Sequence, residues 1–184
     1  VQGPYVFKFQ ELFRDFTKSK YAHATTNCTT ALHLGLEAMG ITKGDKVIVP
    51  SFSWVSSANA VEYTGAEVLF CDIDLKTFNI DVNQIESKIT PKTKAILPVH
   101  LFGLPSEMDK INEIAEKNNL IVVEDAACGF GSLYKNVHVG NFGNTGCFSF
   151  HPVKPITTGE GGMITTNNEK LYNCLLYTSD AADE

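Results

Sequence analysis

The feature that most constrains this 184-residue chain is a repeating unit: a short apolar run followed by a segment with helical spacing. Lys46–Val49, Val68–Cys71, Ala95–Val99 and Leu120–Val123 are runs without apolar/polar alternation. A strand with one wet face alternates, whereas a strand covered on both faces does not. Between the runs lie Ser53–Tyr63, Val82–Ile89 capped by Asp81, and Met108–Asn118 capped by Ser106, each able to form a helix. Parallel strands need such crossovers, so the expected fold class is α/β, a mostly parallel central sheet flanked by helices. Upstream, Phe9, Leu12, Phe13 and Phe16 fall at i, i+3, i+4 and i+7 and predict one buried helix face. Tyr21–Thr26 reads as extended. Thr29–Met39 predicts a helix with Leu32, Leu36 and Met39 inward, stopped by Gly40. Cys147–Phe150 and Met163–Thr166 read as further strands.

Composition narrows the functional classes. With 43% hydrophobic and 20% charged residues, the chain can bury one sizeable core. A formal net charge of −6 gives no basic footprint for nucleic acid. No apolar run is long enough to span a membrane, and no basic-then-apolar leader is present. Cysteines 28, 71, 128, 147 and 174 are scattered, with no Cys-x-x-Cys. Neither a disulfide framework nor a metal site is expected, and a reducing cytoplasm is the default location. The ends read as incomplete. Val1-Gln-Gly-Pro4 runs straight into an amphipathic segment. Cys174–Glu184 lacks a helical period and spells the in-frame translation of a transposon-type sequencing adapter. Residues 1–173 are therefore the expected native domain, and 174–184 a scar.

Parallel α/β sheets bind ligands beyond the carboxyl ends of their strands, and several reactive side chains fall there. Lys154 sits between the strand-like Cys147–Phe150 and a glycine-rich turn. Held there, a lysine can serve as an amine nucleophile; a solvated loop lysine is the ordinary alternative. Asn27-Cys28-Thr29-Thr30 opens a helix, whose free N–H groups suit a phosphate, with Thr29 adding a hydroxyl; a plain N-cap is the alternative. Trp54, the single tryptophan, can stack on a planar ring or fill the core. Glu124-Asp125-Ala-Ala-Cys128 closes the Leu120–Val123 run, and strand alternation sends Glu124 and Asp125 to opposite faces. Ser149 lies five residues before Lys154, and a strand serine satisfied by backbone is its alternative. His151 beside it is given no role.

The segment Ser149-Phe-His-Pro-Val-Lys154-Pro-Ile-Thr-Thr-Gly-Glu-Gly-Gly162 resembles the cofactor-lysine segment of the DegT/DnrJ/EryC1/StrS sugar aminotransferases. Lys20-Tyr21-Ala22, Gly44–Pro50, Phe70–Asp74, Lys94–His100 and Gly103-Leu-Pro105 follow in that family's order. Agreement among independent local signals supports one fold. No P-loop, nucleophile elbow, His-Glu-x-x-His or Gly-x-Gly-x-x-Gly motif competes. The resemblance implies the large domain of a fold-type I enzyme using pyridoxal 5'-phosphate (PLP), without its C-terminal small domain. It makes Lys154 the Schiff-base lysine and Asp125 the carboxylate on the pyridinium nitrogen. Cys28, Thr29 and Ser149 become phosphate contacts, and Trp54 the ring-stacking aromatic. Many relatives carry Gln or His at the position of Cys128, on the cofactor's phenolic oxygen, so this cysteine departs from the pattern. The implied reaction moves an amino group from an amino acid, usually glutamate, to a nucleotide-linked keto sugar, in a homodimer. Alternatives within the resemblance are the sugar dehydratase branch, where histidine replaces the lysine, and a non-catalytic regulatory homologue.

Overall fold

The structure, a computed structural model, describes residues 3–180. Helix α1 (Pro4–Thr17) leads into strand β1 (Tyr21–Thr25) and helix α2 (Cys28–Ala38). Units of strand and helix follow: β2 (Lys46–Pro50) and α3 (Ser56–Tyr63), β3 (Glu67–Cys71) and α4 (Val82–Lys88), β4 (Thr93–Ile96) and α5 (Met108–Asn118). Strand β5 (Ile121–Asp125) precedes a small hairpin, β6 (Leu133–Tyr134) and β7 (Val137–His138). Then come β8 (Thr145–Ser149), β9 (Gly162–Thr166) and α6 (Glu169–Asp180). Seven strands form one sheet in the order β1-β9-β8-β5-β4-β2-β3. From β3 to β8 all neighbours are parallel, and β9 runs antiparallel to both β8 and β1.

The absence of alternation in the apolar runs has a direct structural counterpart. In β2, Val47 and Val49 join Leu32, Leu36, Ala60 and Val61 of α2 and α3 on one face. Ile48 between them joins Ile85, Met108 and Ile111 of α4 and α5 on the other. Val123 and Val122 of β5 divide in the same way. The runs in β2 and β5 are apolar on both faces because each face meets a helix layer, whereas the Val68–Cys71 run lies on the edge strand β3 and leaves Phe70 55% exposed. Gly40, in the left-handed region at φ 81°, ends the turn after α2.

Three expectations are corrected. The α1 face is rotated: Leu12 and Phe16 are 58% and 55% exposed, while Gln10, Phe13 and Thr17 are buried. Both polar residues carry hydrogen bonds inward. The Gln10 side-chain oxygen accepts from the Ala24 amide at 2.8 Å, and the Thr17 hydroxyl donates to the Phe13 carbonyl at 2.9 Å. Ser106 does not cap α5. Its hydroxyl donates to the Val99 carbonyl at 2.9 Å, and Glu107 is the capping position, without a side-chain bond. Finally, α6 carries helix through Asp180, with Leu171 and Leu175 buried one turn apart, so helix continues into the segment from Cys174. That shape leaves the origin of the segment open, and residues 181–184 lie outside the described ones.

Candidate active site

The antiparallel β8–β9 pair builds the site. Residues 150–161 connect the two strands in a loop closed at its base, where the Phe150 amide donates to the Gly161 carbonyl at 2.9 Å. The Thr157 hydroxyl and the Thr158 amide both donate to the Phe150 carbonyl, at 2.8 and 3.1 Å. Lys154 sits on this loop, and its amide donates to the His151 carbonyl at 2.9 Å. The loop roofs a cleft of about 570 Å³ at the carboxyl ends of the parallel strands. Cys28, Thr29, Trp54, Asp125, Ser149 and Lys154 all line that one cleft. Cys128 is not among its lining residues but touches them: the Lys154 Nζ donates to the Cys128 Sγ at 3.2 Å.

At the floor, Asn27 caps α2, its side-chain oxygen accepting from the Thr30 amide at 2.8 Å. The first helical residues, Cys28 and Thr29, have no carbonyl one turn earlier to take their amides. These amides and the helix dipole make the floor attractive to an anion. Burial pushes the Cys28 thiol well up, so it stays neutral beside such an anion. Gly162 permits this arrangement. A Cβ there would come within 2.5 Å of the Asn27 carbonyl group and the Thr25 hydroxyl. Only glycine lets β9 pass so close to the start of α2.

Asp125 ends β5, only 4% exposed. Its Oδ2 accepts from the Ser57 hydroxyl at 2.7 Å, and its Oδ1 from the Ala127 amide at 3.1 Å. Burial raises its pKa; the Ser57 bond is the largest opposing influence. Glu124, on the other face, points away from the cleft into a ring of donors. Trp54 stands 77% exposed at the rim. His151 and Glu160 also line the cleft, 3.8 Å apart.

Residue-by-residue reading of the chain misses Ser57 and the close approach at Gly162, whereas the N-cap weighed for the Asn27–Thr30 segment is present at Asn27. Ser57 carried a usable signal, since it lies one helical turn beyond Trp54. Among the described residues, no group of three or more His, Cys, Asp and Glu side chains could hold a metal ion. No helix there is long and apolar enough to cross a membrane.

A seven-stranded, mostly parallel sheet with a lysine and a buried carboxylate converging on one cleft defines an α/β protein of the PLP-transferase type. Residues 1–180 match the DegT/DnrJ/EryC1/StrS aminotransferase family, and the chain belongs to it. It is 49% identical to GDP-perosamine synthase of Escherichia coli O157:H7 over 176 residues, which are 96% of this chain and 48% of that protein. The solved aminotransferase from Psychrobacter cryohalolentis superposes with a TM-score of 0.95 at 42% identity, over 97% of this chain and 45% of that one. A putative sugar aminotransferase from Streptococcus pneumoniae, solved in its PLP form, gives 0.91 at 30% identity, over 95% and 50%. The chain thus spans about half the length of the curated relatives it matches.

Proposed function

We propose that this chain is the cofactor-binding half of a PLP-dependent aminotransferase that moves an amino group onto a nucleotide-linked keto sugar. The observation that carries the reading is the convergence of the Lys154 amine and the buried Asp125 carboxylate on one cleft above the α2 N-terminus. PLP presents three handles: an aldehyde, a ring nitrogen and a phosphate. The cleft has a group suited to each. Lys154 is the amine for the aldehyde. Asp125, buried without a cation in hydrogen-bonding distance among the described residues, suits a protonated ring nitrogen. The Cys28 and Thr29 amides, with the Thr29 and Ser149 hydroxyls, suit the phosphate. Trp54 can close over the ring from the rim. A volume of about 570 Å³ lies within the usual range for such ligands.

When bound, PLP supplies an electron sink that stabilises negative charge at a substrate carbon. The chain's part is acid–base work and positioning. Asp125 would accept a hydrogen bond from a protonated ring nitrogen and keep the proton there. Lys154 Nζ, when unbound, takes the proton from the amino donor's α-carbon and returns it on the other side of the transfer. Cys128 accepts a hydrogen bond from that amine, so it is in contact with the reacting nitrogen. Retention of lysine at position 154 favours transamination over dehydration. Glutamate as donor, a GDP-, UDP- or dTDP-linked keto-deoxy sugar as acceptor, a homodimer and a cytoplasmic location complete the proposal. So does the division into residues 1–173 as large domain and 174–184 as non-native sequence. The native coding sequence beyond Asn173 decides that last point.

The test is borohydride reduction of the protein loaded with PLP, followed by peptide mapping. The cofactor should be fixed on Lys154, and a reduced adduct on another lysine overturns the assignment. Glutamate should then discharge the absorbance of the unreduced, loaded protein. A regulatory homologue would bind PLP without that change.

A further inference from the structure

The residue that positions Asp125 lies outside the lysine segment and outside β5. We propose that Ser57, backed by Ser53, holds the Asp125 carboxylate in place and in its ionised form. Ser57 is 1% exposed, in the first turn of α3, and its Oγ donates to Asp125 Oδ2 at 2.7 Å. Having given its proton to the carboxylate, it can only accept from the Ser53 Oγ, 2.8 Å away. Ser53 thereby orients the Ser57 hydroxyl. The Ser57 amide donates to the Trp54 carbonyl at 3.1 Å, so one short segment carries both the rim aromatic and the partner of the buried acid. Oδ1 is fixed separately by the Ala127 amide. The two bonds set the plane of the carboxylate.

The role has a physical reason. A carboxylate taken out of water is driven towards its neutral form, which could not hold a positive ring nitrogen. A hydroxyl donated to the charged form opposes this. The other titratable groups around Asp125 come from four different elements. His100 after β4 and Lys154 on the 150–161 loop favour the charge on Asp125, and that charge in turn helps to push up the thiols Cys28 of α2 and Cys147 of β8. Both thiols are pushed up by burial and stay neutral. The His100 Nδ1 accepts from the Ser106 amide, and its Nε2 faces Glu124 rather than Asp125. Ser57 is the side-chain donor on the carboxylate itself, and the proposal concerns that contact.

This inference rests on the PLP reading, but its first test does not. Carboxyl-carbon NMR of the unloaded chain, labelled at aspartate and assigned with Asp125→Asn, follows the Asp125 titration in the parent, Ser57→Ala and Ser57→Thr. The midpoint should move up in Ser57→Ala and stay near the parent in Ser57→Thr, which keeps the hydroxyl. In parallel, PLP affinity should weaken about tenfold in Ser57→Ala and recover in Ser57→Thr, the loss expected for one hydrogen bond to a charged group. An unchanged midpoint in a folded Ser57→Ala overturns the proposal. So does an equal shift in Ser57→Thr, which would make the role one of packing. If the midpoints move as expected but the parent binds no PLP, the functional reading fails and the Ser57–Asp125 coupling stands.

Discussion

Glu124 and Asp125 are adjacent on β5, both acidic and both buried, yet they are held in opposite ways. Glu124 is fully saturated. Its Oε2 takes the His100 Nε2 proton at 2.9 Å and the Gly140 amide at 2.7 Å, while its Oε1 takes the Phe142 and Gly143 amides at 2.8 and 2.6 Å. Four donors replace the water it lost, and the loop 140–143 is tied to the sheet through it. Asp125 has two donors and faces a cleft. The first carboxylate spends all its acceptor capacity on the fold. The second keeps capacity for something that enters. Strand alternation separates the roles, because one residue step along β5 exchanges one face of the sheet for the other.

The sharpest way to break this contrast is to remove each carboxylate in turn and compare activity in the full-length protein. Asp125→Ala should cut turnover by about 10²–10³-fold, the scale for loss of a charged group acting in the transition state. Glu124→Gln should cost much less. Equal activity of Asp125→Ala and the parent would remove the ring-nitrogen role. Stability should respond in the reverse order. Glu124→Ala strands the buried His100 N–H and Gly140 amide and two part-buried amides, and should lose about 3 kcal/mol in urea unfolding. Asp125→Ala strands only the Ser57 hydroxyl and one amide and should lose less. A Glu124→Ala protein as stable as the parent would mean that the ring of donors finds other acceptors.

This contrast was half legible in the sequence. The doubly buried strands could be read because an apolar run carries its own evidence: Val47, Ile48 and Val49 admit no wet face. The opposite orientation of Glu124 and Asp125 follows from the period of two. The partners were not legible. Ser57 meets Asp125 across 68 residues of sequence, and the Gly140–Gly143 amides reach Glu124 from a loop that carries no motif. Tertiary closure also overrode local pattern in α1, where a hydrogen-bonded Gln10 displaced Leu12 from the buried face. Local periodicity records which surfaces are apolar, whereas the polar contacts that finish a site are fixed only when distant segments meet.

The smallest expected effect is also the most discriminating, because it reads Asp125 without any cofactor. The pKa of Asp125 is raised by burial above its ordinary value of 3.8. The native state therefore binds more protons than the unfolded chain at pH values just above 4. Its contribution makes stability fall as pH rises through that window, then level off once the native carboxyl has ionised. Asp125→Asn removes the contribution, so the variant should gain on the parent as pH is raised from 3 to 7. His138 acts in the opposite direction: burial lowers its pKa, so its contribution is present above about 6.5 and is lost as pH falls. Comparing variant with parent cancels His138, since it is common to both. Urea unfolding at a series of pH values measures the difference. A difference that does not change with pH would remove the effect of burial on Asp125, and its contrast with Glu124 would have to rest on geometry alone.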